Sequence, residues 1–387
     1  MSVQLFIPAF RVDECLEQIK ECLEKGWTGL GFKTIEFEEA WKKYTGLSHA
    51  HFLNSNTSGL HLAVYMLKTK YGWQDGDEVI TTPLTFVSTN HAIMYEDLKP
   101  VFADVDDSLC MSPESIEAKI SPKTKAVIYV GIGGNTGRYE QVVAVCKKHG
   151  LKLILDAAHM AGTRIRGRHV GGEADVSVFS FQAVKNLPTA DSGMICWNNK
   201  EDDERARKLC WLGINKDTYA RTGRQGNYKW MYDVEEVGFK YHGNSIMAGI
   251  GMVQLKYLDK DNSHRRSLAQ IYKKTLAGSE KIKLIEINPD CESSTHLFQI
   301  RVQNRDLLLQ FLNEKEIFPG VHYRDNTEYA IYSHGKGTCP KATKASHEIL
   351  SLPLHLKMNE EDALLVANEV LNFVNSGEVT LNEQKTF

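Results

Sequence analysis

Residues 179–189 read FSFQAVKNLPT, and residues 155–159 read LDAAH. Both segments lie at the end of a short apolar run. Asp156 therefore stands at the end of one predicted strand, and Lys185 lies in a polar loop that follows another. A single lysine after a strand carries little information, because many lysines occupy that position. The two residues together, with their flanking segments, form a specific signal that decides the fold.

The sequence around these segments alternates between strand and helix patterns. Short runs rich in Val and Ile, flanked by turn residues, predict strands at 78–82, 99–104, 125–131, 151–155 and 175–181. Helical spacing predicts helices at 13–26, 37–45, 56–71, 88–95, 112–120 and 139–149. This alternation is typical of a mostly parallel α/β sheet covered on both faces, in which ligands bind at the carboxyl ends of the strands.

The C-terminal part predicts a smaller α/β domain. Its expected elements are helices at 243–259, 265–277, 305–315 and 360–374, and strands at 283–287 and 296–302. We place the large domain at residues 1–255 and the small domain at 256–387. Residues 213–237 are rich in Gly, Asn and charge and predict a long irregular excursion of the kind that covers a site. The tail beyond Gly377 is polar, and we expect it to be loose.

Composition excludes several classes of protein. Of the 387 residues, 42% are hydrophobic and 25% charged, and the net charge is -3, which offers no bulk attraction for nucleic acid or an anionic membrane. No apolar run approaches the length of a membrane span, and no signal peptide is recognised. The eight cysteines are scattered without close pairs, so we expect no metal site, no disulfide framework and a cytoplasmic location.

The pairing of Asp156 with Lys185 suits pyridoxal phosphate (PLP). A lysine amine forms a Schiff base with the PLP aldehyde, and a carboxylate keeps the pyridine nitrogen protonated so that the ring accepts electrons from a carbanion. The other interpretations are a solvated surface lysine and, for Asp156, a helix N-cap.

The same segments resemble the DegT/StrS family of sugar-nucleotide aminotransferases, which are fold-type I PLP enzymes. The resemblance extends from GLG at residues 29–31 to LPLH at residues 352–355, and its motifs are closest to the 4-amino-4-deoxyarabinose-type branch. It implies that Lys185 is the Schiff-base lysine, that Asp156 pairs with the pyridinium nitrogen and that His159 lies near the ring hydroxyl. Some relatives carry His in place of the lysine and are dehydratases, so Lys185 favours transamination. For His159 alone, a satisfied core histidine is the alternative.

The resemblance also assigns the groups that hold the cofactor. NSNTSGL at residues 54–60 matches a phosphate cup before a helix, which implies that Asn56, Thr57 and Ser58 bind phosphate. Ser180 would add a third hydroxyl, and Phe86 would stack on the cofactor ring. Asn56 replaces the usual Gly, and we expect it to adopt the left-handed turn that Asn tolerates. The alternatives are a plain helix cap for the cup and a core position for Phe86.

Two further motifs point to a second subunit and to the substrate. GFKYHGN at residues 238–244 implies that Lys240 reaches the PLP phosphate of a neighbouring subunit, and hence a homodimer with shared sites. VHY at residues 321–323 implies that His322 approaches the ligand, with a surface turn as the alternative. His242, Gly243 and Gly249 depart from the commoner residues and leave the substrate open. GIGGNTG at residues 131–137 lacks the features of a nucleotide loop, and its glycines are expected to let the backbone approach a ligand.

These assignments predict a PLP-dependent aminotransferase that moves an amino group, with glutamate as the usual donor, to a keto group of a nucleotide-linked deoxy sugar. A non-sugar ketone, such as a cyclitol or a small phosphorylated ketone, is the second possibility. A PLP-binding regulatory protein without turnover is the third, and the presence of both Lys185 and Asp156 argues against it.

Overall fold

The computed structural model describes residues 2–215 and 232–376 of the chain. Most of the expected irregular excursion, from residue 216 to 231, and the tail from residue 377 lie outside the described residues. The described strands are β1 (His51–Leu53), β2 (Glu78–Thr81), β3 (Lys99–Phe102), β4 (Thr124–Val130), β5 (Lys152–Asp156), β6 (Arg164–Ile165), β7 (Arg168–His169), β8 (Val176–Ser180), β9 (Gly193–Trp197), β10 (Ile282–Leu284), β11 (Cys291–Glu292), β12 (Phe298–Val302) and β13 (Ile349–Leu352).

The described helices occupy both ends of the chain and the links between strands. They are α1 (Val12–Glu24), α2 (Phe32–Thr45), α3 (Asn56–Tyr71), α4 (Val87–Met94), α5 (Pro113–Ala118), α6 (Tyr139–His149), α7 (Lys200–Cys210), α8 (Ser245–Leu276), α9 (Arg305–Glu314), α10 (Pro340–Glu348) and α11 (Glu360–Asn375). No helix within the described ranges is both long enough and apolar enough to cross a membrane.

A seven-stranded sheet in the order β1-β9-β8-β5-β4-β2-β3 forms the centre of the large domain. The pairs from β8 through β5, β4 and β2 to β3 are all parallel. Only β9 among the strands of this sheet runs the other way, pairing antiparallel with both β1 and β8. The expectation of a large, mostly parallel α/β sheet is therefore confirmed.

Alternating side chains of the central strands enter cores on opposite faces of the sheet. Val127 and Tyr129 of β4 belong to one apolar cluster, whereas Ala126 and Ile128 belong to the other. All four side chains are fully buried. A strand buried on both faces has this continuous apolar sequence because its side chains point in alternate directions.

Two glycines bring the start of α3 against the sheet. A Cβ at Gly59 would lie 2.5 Å from Cγ1 of Val178 on β8, and one at Gly193 on β9 would lie 2.8 Å from the backbone nitrogen of Asn56. Both distances are too short for a real side chain. The absence of a Cβ at these positions therefore places the N-terminus of α3 beside the carboxyl end of β8.

The small domain follows a single long helix rather than the two helices that the sequence predicts. The segments expected at 243–259 and 265–277 form one 32-residue helix, α8, which packs against α1, α2 and α11. The boundary expected between residues 255 and 256 lies inside it. Beyond α8, the strands β10, β12 and β13 form an antiparallel sheet over a separate apolar cluster.

Some other elements differ from the sequence expectation. Helix α2 begins at Phe32, five residues earlier than expected, and β10 ends at Leu284 rather than residue 287. The short strands β1, β9 and β13 and the helices α7 and α10 were not predicted.

Candidate active site

Asp156 ends β5, next to β8, and its carboxylate is buried, with the residue 3% exposed. The Thr89 hydroxyl donates to Oδ2 at 2.8 Å, and the backbone N–H of Ala158 donates to Oδ1 at 3.1 Å. Burial raises the pKa of this carboxyl, although the two hydrogen bonds act to lower it. No ion pair within 4.0 Å joins it to a described cation. A turn rather than a helix follows Asp156, so the alternative of a helix N-cap does not hold.

Lys185 lies in the loop after β8 and is half-buried. Its backbone N–H donates to the carbonyl of Gln182 at 2.8 Å, which closes a turn at the lysine. Burial lowers the pKa of the Lys185 amine to about 8, and the negative charge of Asp156 opposes that change. The neutral form of this amine is therefore more favoured here than it is for a lysine in water. The interpretation as a solvated surface lysine is wrong.

Asn186 fixes the lysine loop to other parts of the chain. Its Nδ2 donates to Oδ1 of Asn262 on α8 and to the carbonyl of Ser294, both at 2.7 Å, and its Oδ1 lies 2.9 Å from Nδ1 of His296. Asn186 is 3% exposed, so these bonds are shielded from water. The side chain after Lys185 thus holds its loop against α8 and the segment before β12.

His159 is a buried imidazole whose protonation follows from its partners. The backbone N–H of Gly133 donates to Nδ1 at 3.1 Å, so Nδ1 carries no proton. Burial, reinforced by the positive charge of Lys185, lowers the pKa of His159 well below its usual value. The neutral ring therefore carries its proton on Nε2, 3.1 Å from the Tyr323 hydroxyl, which accepts it.

Three neutral imidazoles surround the lysine. The ring centroid of His296 lies 4.4 Å from that of His159, and Phe6 contacts both His296, at 5.4 Å, and His322, at 5.7 Å. Burial and Lys185 lower the pKa of His322 to about 4, and burial lowers that of His296 well below its usual value. His322 is half-buried, with Nδ1 2.9 Å from the Ser351 hydroxyl, so it is not part of a surface turn.

Phe86 presents its ring to the open side of the site. It is 58% exposed immediately before α4, and its centroid lies 6.2 Å from that of Tyr323. The alternative of a core position is therefore wrong. This exposed aromatic face, three residues before the Thr89 that bonds Asp156, is free to stack on a planar ligand.

The start of α3 provides the expected cup, with one change. Ser55 is the N-cap, since its hydroxyl accepts from the N–H of Ser58 at 3.1 Å. The Ser58 hydroxyl donates to Asn54 and to the carbonyl of Ser55. Asn56 lies in the first helical turn without positive φ and donates to the carbonyl of Val178 at 3.0 Å, so the expected left-handed turn is wrong.

The other two hydroxyls of the expected phosphate site lie at the same edge. Thr57 is half-exposed in the first turn of α3, a helix of 16 residues whose N-terminal amides attract anions. Ser180 ends β8 and is 6% exposed.

Lys240 lies on the surface of the described chain. It is exposed, with Nζ 3.3 Å from the ring centroid of Trp211, and its carbonyl accepts from Asn54 at 3.1 Å. The segment 238–242 thus runs beside the start of α3.

The glycines of residues 131–137 contact protein rather than an open cavity. A Cβ at Gly131 would meet Met160, and one at Gly134 would meet the hydroxyl of Ser294. Two of these glycines contact site residues: the Gly133 N–H donates to His159, and the Gly131 N–H donates to the carbonyl of Asp156 at 3.3 Å.

Comparison with known proteins agrees with this site. Residues 11–371 match the DegT/DnrJ/EryC1/StrS aminotransferase family, and the chain belongs to that family. The spore coat polysaccharide biosynthesis protein SpsC of Bacillus subtilis is 32% identical over 93% of this chain and 94% of its own.

Two solved structures share the fold over nearly their whole length. PseC of Helicobacter pylori, an aminotransferase involved in the biosynthesis of pseudoaminic acid, superposes with a TM-score of 0.89 at 27% identity, covering 97% of this chain and all of its own. Spr1654 of Streptococcus pneumoniae, named as a sugar aminotransferase and solved in its PLP form, gives 0.87 at 26% identity, covering 96% and 98%. The protein is therefore an aminotransferase, and its family uses PLP.

The residues of this site fit that cofactor. A buried carboxylate that forms no ion pair with a cation in the described part of the chain suits a protonated pyridine nitrogen, and a lysine with a lowered pKa suits imine chemistry. His159, Phe86 and the start of α3 remain our assignments for the ring hydroxyl, the ring face and the phosphate.

The sequence analysis predicted most of these residues at one edge of the sheet, but it missed several of their hydrogen-bond partners. Asn186 and Tyr323 each stood inside a recognised motif that could have indicated them, and Thr89 lies three residues after Phe86. His296 and Asn262 gave no local signal, because only the fold brings them to Lys185.

The lowered pKa of Lys185 makes a prediction for the cofactor-free protein. Limited acetylation followed by peptide mass spectrometry at a series of pH values should show Lys185 reacting with a midpoint near pH 8, against an ordinary lysine value of 10.5. Asp156→Asn should shift the midpoint downward, since the carboxylate stabilises the ammonium. Exposed lysines in the same digest are the control. A Lys185 midpoint equal to theirs would show that burial does not act on this amine.

Proposed function

We propose that this aminotransferase uses glutamate as its amino donor and a keto group of a nucleotide-linked deoxy sugar as its acceptor. The observation that carries the chemistry is the buried pair of Asp156 and Lys185 beside neutral imidazoles. The names of SpsC and PseC, both from carbohydrate biosynthesis, support a sugar acceptor.

Bound PLP supplies an electron sink for the pair of electrons left when a proton leaves the donor carbon. Asp156 would hold the ring nitrogen of the bound cofactor and would stabilise a proton there with its negative charge. Thr89 and the N–H of Ala158 orient that carboxylate. A carboxylate fixed in this way requires no reorganisation during the reaction.

Lys185 moves the proton. Its lowered pKa, about 8, places the amine near the operating pH, where it can both accept and return a proton. The turn at Gln182 and the bonds of Asn186 hold its loop and so limit the positions that Nζ can adopt.

His159 donates from Nε2 to Tyr323 and is neutral, so it adds no competing positive charge beside the lysine. His322 is neutral as well, and its ring contacts those of Tyr323 and Phe6. We assign it to acceptor binding.

The test of this function combines mapping with a substrate panel. Borohydride reduction of the purified protein should fix PLP on Lys185, and incubation with glutamate and nucleotide-linked keto sugars should give an amine detected by mass. Lys185→Ala should lower the glutamate half-reaction by at least about 100-fold, because it removes the general acid–base group. Lys208→Ala, whose amine pairs with Glu235 at 2.7 Å, is the control and should react normally.

The outcomes separate the parts of the proposal. An adduct on another lysine would remove Lys185 from its role. Amination of a cyclitol or small phosphorylated ketone, with every keto-sugar nucleotide inert, would replace the acceptor. Exchange with another amino acid but not with glutamate would replace the donor.

We also propose that the enzyme is a homodimer in which Lys240 binds the PLP phosphate of the neighbouring subunit. Its exposed position beside the start of α3 supports a contact across an interface. Partial desolvation lowers the pKa of this amine. No described carboxylate pairs with it, so its charge is available for a phosphate.

Lys240→Ala should therefore weaken PLP retention roughly tenfold or more, since a charge-assisted contact is lost. Lys208→Ala again serves as the control. Mixing Lys240→Ala with Lys185→Ala subunits is the sharper measurement, because one site of each mixed dimer then has Lys185 and the partner subunit's Lys240. Activity at limiting PLP should exceed that of either parent. No recovery after verified subunit exchange would place Lys240 in its own subunit's site.

A further inference from the structure

The loop between β2 and α4 carries Phe86, and a residue from the C-terminal part of the chain holds this loop. The backbone N–H of Asn326 donates to the carbonyl of Pro83 at 2.8 Å, and its side-chain Nδ2 donates to the carbonyl of Thr85 at 2.7 Å. Asn326 is 1% exposed, so water does not compete for these bonds. One residue therefore holds the loop on both sides of Leu84.

The amide oxygen of Asn326 is held in turn by Asn90 of α4. Asn90 Nδ2 donates to Asn326 Oδ1 at 3.1 Å and to the carbonyl of Thr82 at 3.2 Å. Its own Oδ1 accepts from the Thr81 hydroxyl at 2.7 Å, and Asn90 is fully buried. Both amide groups of this pair have partners for their oxygen and their nitrogen, so their orientation is fixed.

The bond from Asn326 to Thr85 acts directly on Phe86. The Thr85 carbonyl belongs to the planar peptide unit that ends at the nitrogen of Phe86. On the other side, the Phe86 carbonyl accepts from the N–H of Thr89 in the first turn of α4, at 3.2 Å. The backbone of Phe86 is thus held at both of its peptide units, which limits the directions in which its exposed ring can point.

Asn326 also follows Tyr323 by three residues. The Tyr323 hydroxyl accepts from His159, and its ring centroid lies 6.2 Å from that of Phe86. Asn326 therefore joins the Phe86 loop to the Tyr323 segment and limits the spacing between the two rings.

We propose that Asn326 is a positioning residue for the cofactor ring. It acts through the peptide unit before Phe86 and, with Asn90, keeps the Phe86 ring at the angle at which it stacks on the planar cofactor. This inference rests on the proposed assignment of Phe86 to the ring face. The strength of an aromatic contact depends on the angle and separation of the two rings, so a shifted loop loses stacking although the phenylalanine remains.

Asn288 provides a matched control in the same part of the chain. Its Nδ2 donates to the carbonyl of Gly137 at 2.9 Å and to the Thr136 hydroxyl at 3.1 Å, so it too joins the C-terminal part to a loop of the large domain. These bonds do not involve the Phe86 loop. Asn288→Ala therefore removes a comparable pair of hydrogen bonds and should leave the affinity for PLP unchanged.

The test is a double-mutant cycle on the apparent dissociation constant of PLP, followed by cofactor absorbance. Phe86→Ala should weaken binding about two- to tenfold, the range of an aromatic contact. Asn326→Ala should weaken it by a similar factor in the wild-type background but by less than about twofold in Phe86→Ala, because its effect passes through that ring. Asn326→Ser serves the same comparison if the alanine variant does not fold, since its hydroxyl is one atom shorter than the amide.

A second readout follows the orientation of the cofactor. The circular dichroism of bound PLP in its visible absorption band depends on how the ring is tilted in the site. Asn326→Ala should change this signal, and Asn288→Ala should leave it as in the wild type.

The outcomes separate positioning from a purely structural role. Additive losses in the cycle, unchanged PLP affinity in Asn326→Ala, or equal losses in Asn326→Ala and Asn288→Ala would overturn the inference and leave the proposed transamination intact. No effect of Phe86→Ala would remove Phe86 from the ring face and this inference with it. An enzyme that shows the coupling but aminates no ketone would fail the proposed function and support the role of Asn326.

Discussion

The buried carboxylate of Asp156 is the constraint on which the site depends. It sits at the end of β5 with two hydrogen bonds, a raised pKa and no ion pair to a described cation. Such a group is destabilising unless a positive charge meets it, and a protonated pyridine ring provides that charge. The bound cofactor would supply the positive charge that Asp156 lacks. Cofactor binding therefore stabilises the folded state of this edge of the sheet.

The rest of the fold positions partners around that carboxylate. Parallel strands place Asp156 and Ser180 at one edge, and the missing Cβ atoms of Gly59 and Gly193 let the start of α3 approach it. Asn186 then ties the lysine loop to α8 and to the segment before β12. Asn186 and His159, which bonds Tyr323, are two buried side chains that join the sheet to the C-terminal part of the chain beside the lysine.

The sequence predicted the parts of this arrangement that are local. Apolar runs ending in a polar residue indicated β5 and β8, and the family resemblance indicated Asp156, Lys185 and Phe86. The continuous helix α8 was missed because Asp261 and Asn262 interrupt its apolar pattern. Both residues are buried by partners far away in the chain, Arg11 for Asp261 and Asn186 with Ala161 for Asn262. Asn56 was misjudged for the same reason, since its partner, the Val178 carbonyl, belongs to another element.

The charge state of the bound ring tests the account most directly. Nitrogen-15 NMR of the enzyme reconstituted with PLP labelled at the pyridine nitrogen reports whether that atom carries a proton. The account predicts a protonated nitrogen at neutral pH in the wild type and its loss in Asp156→Asn, with Thr89→Val intermediate because the carboxylate then loses one orienting hydrogen bond. An unprotonated nitrogen in the wild type, or a protonated one in Asp156→Asn, would contradict it.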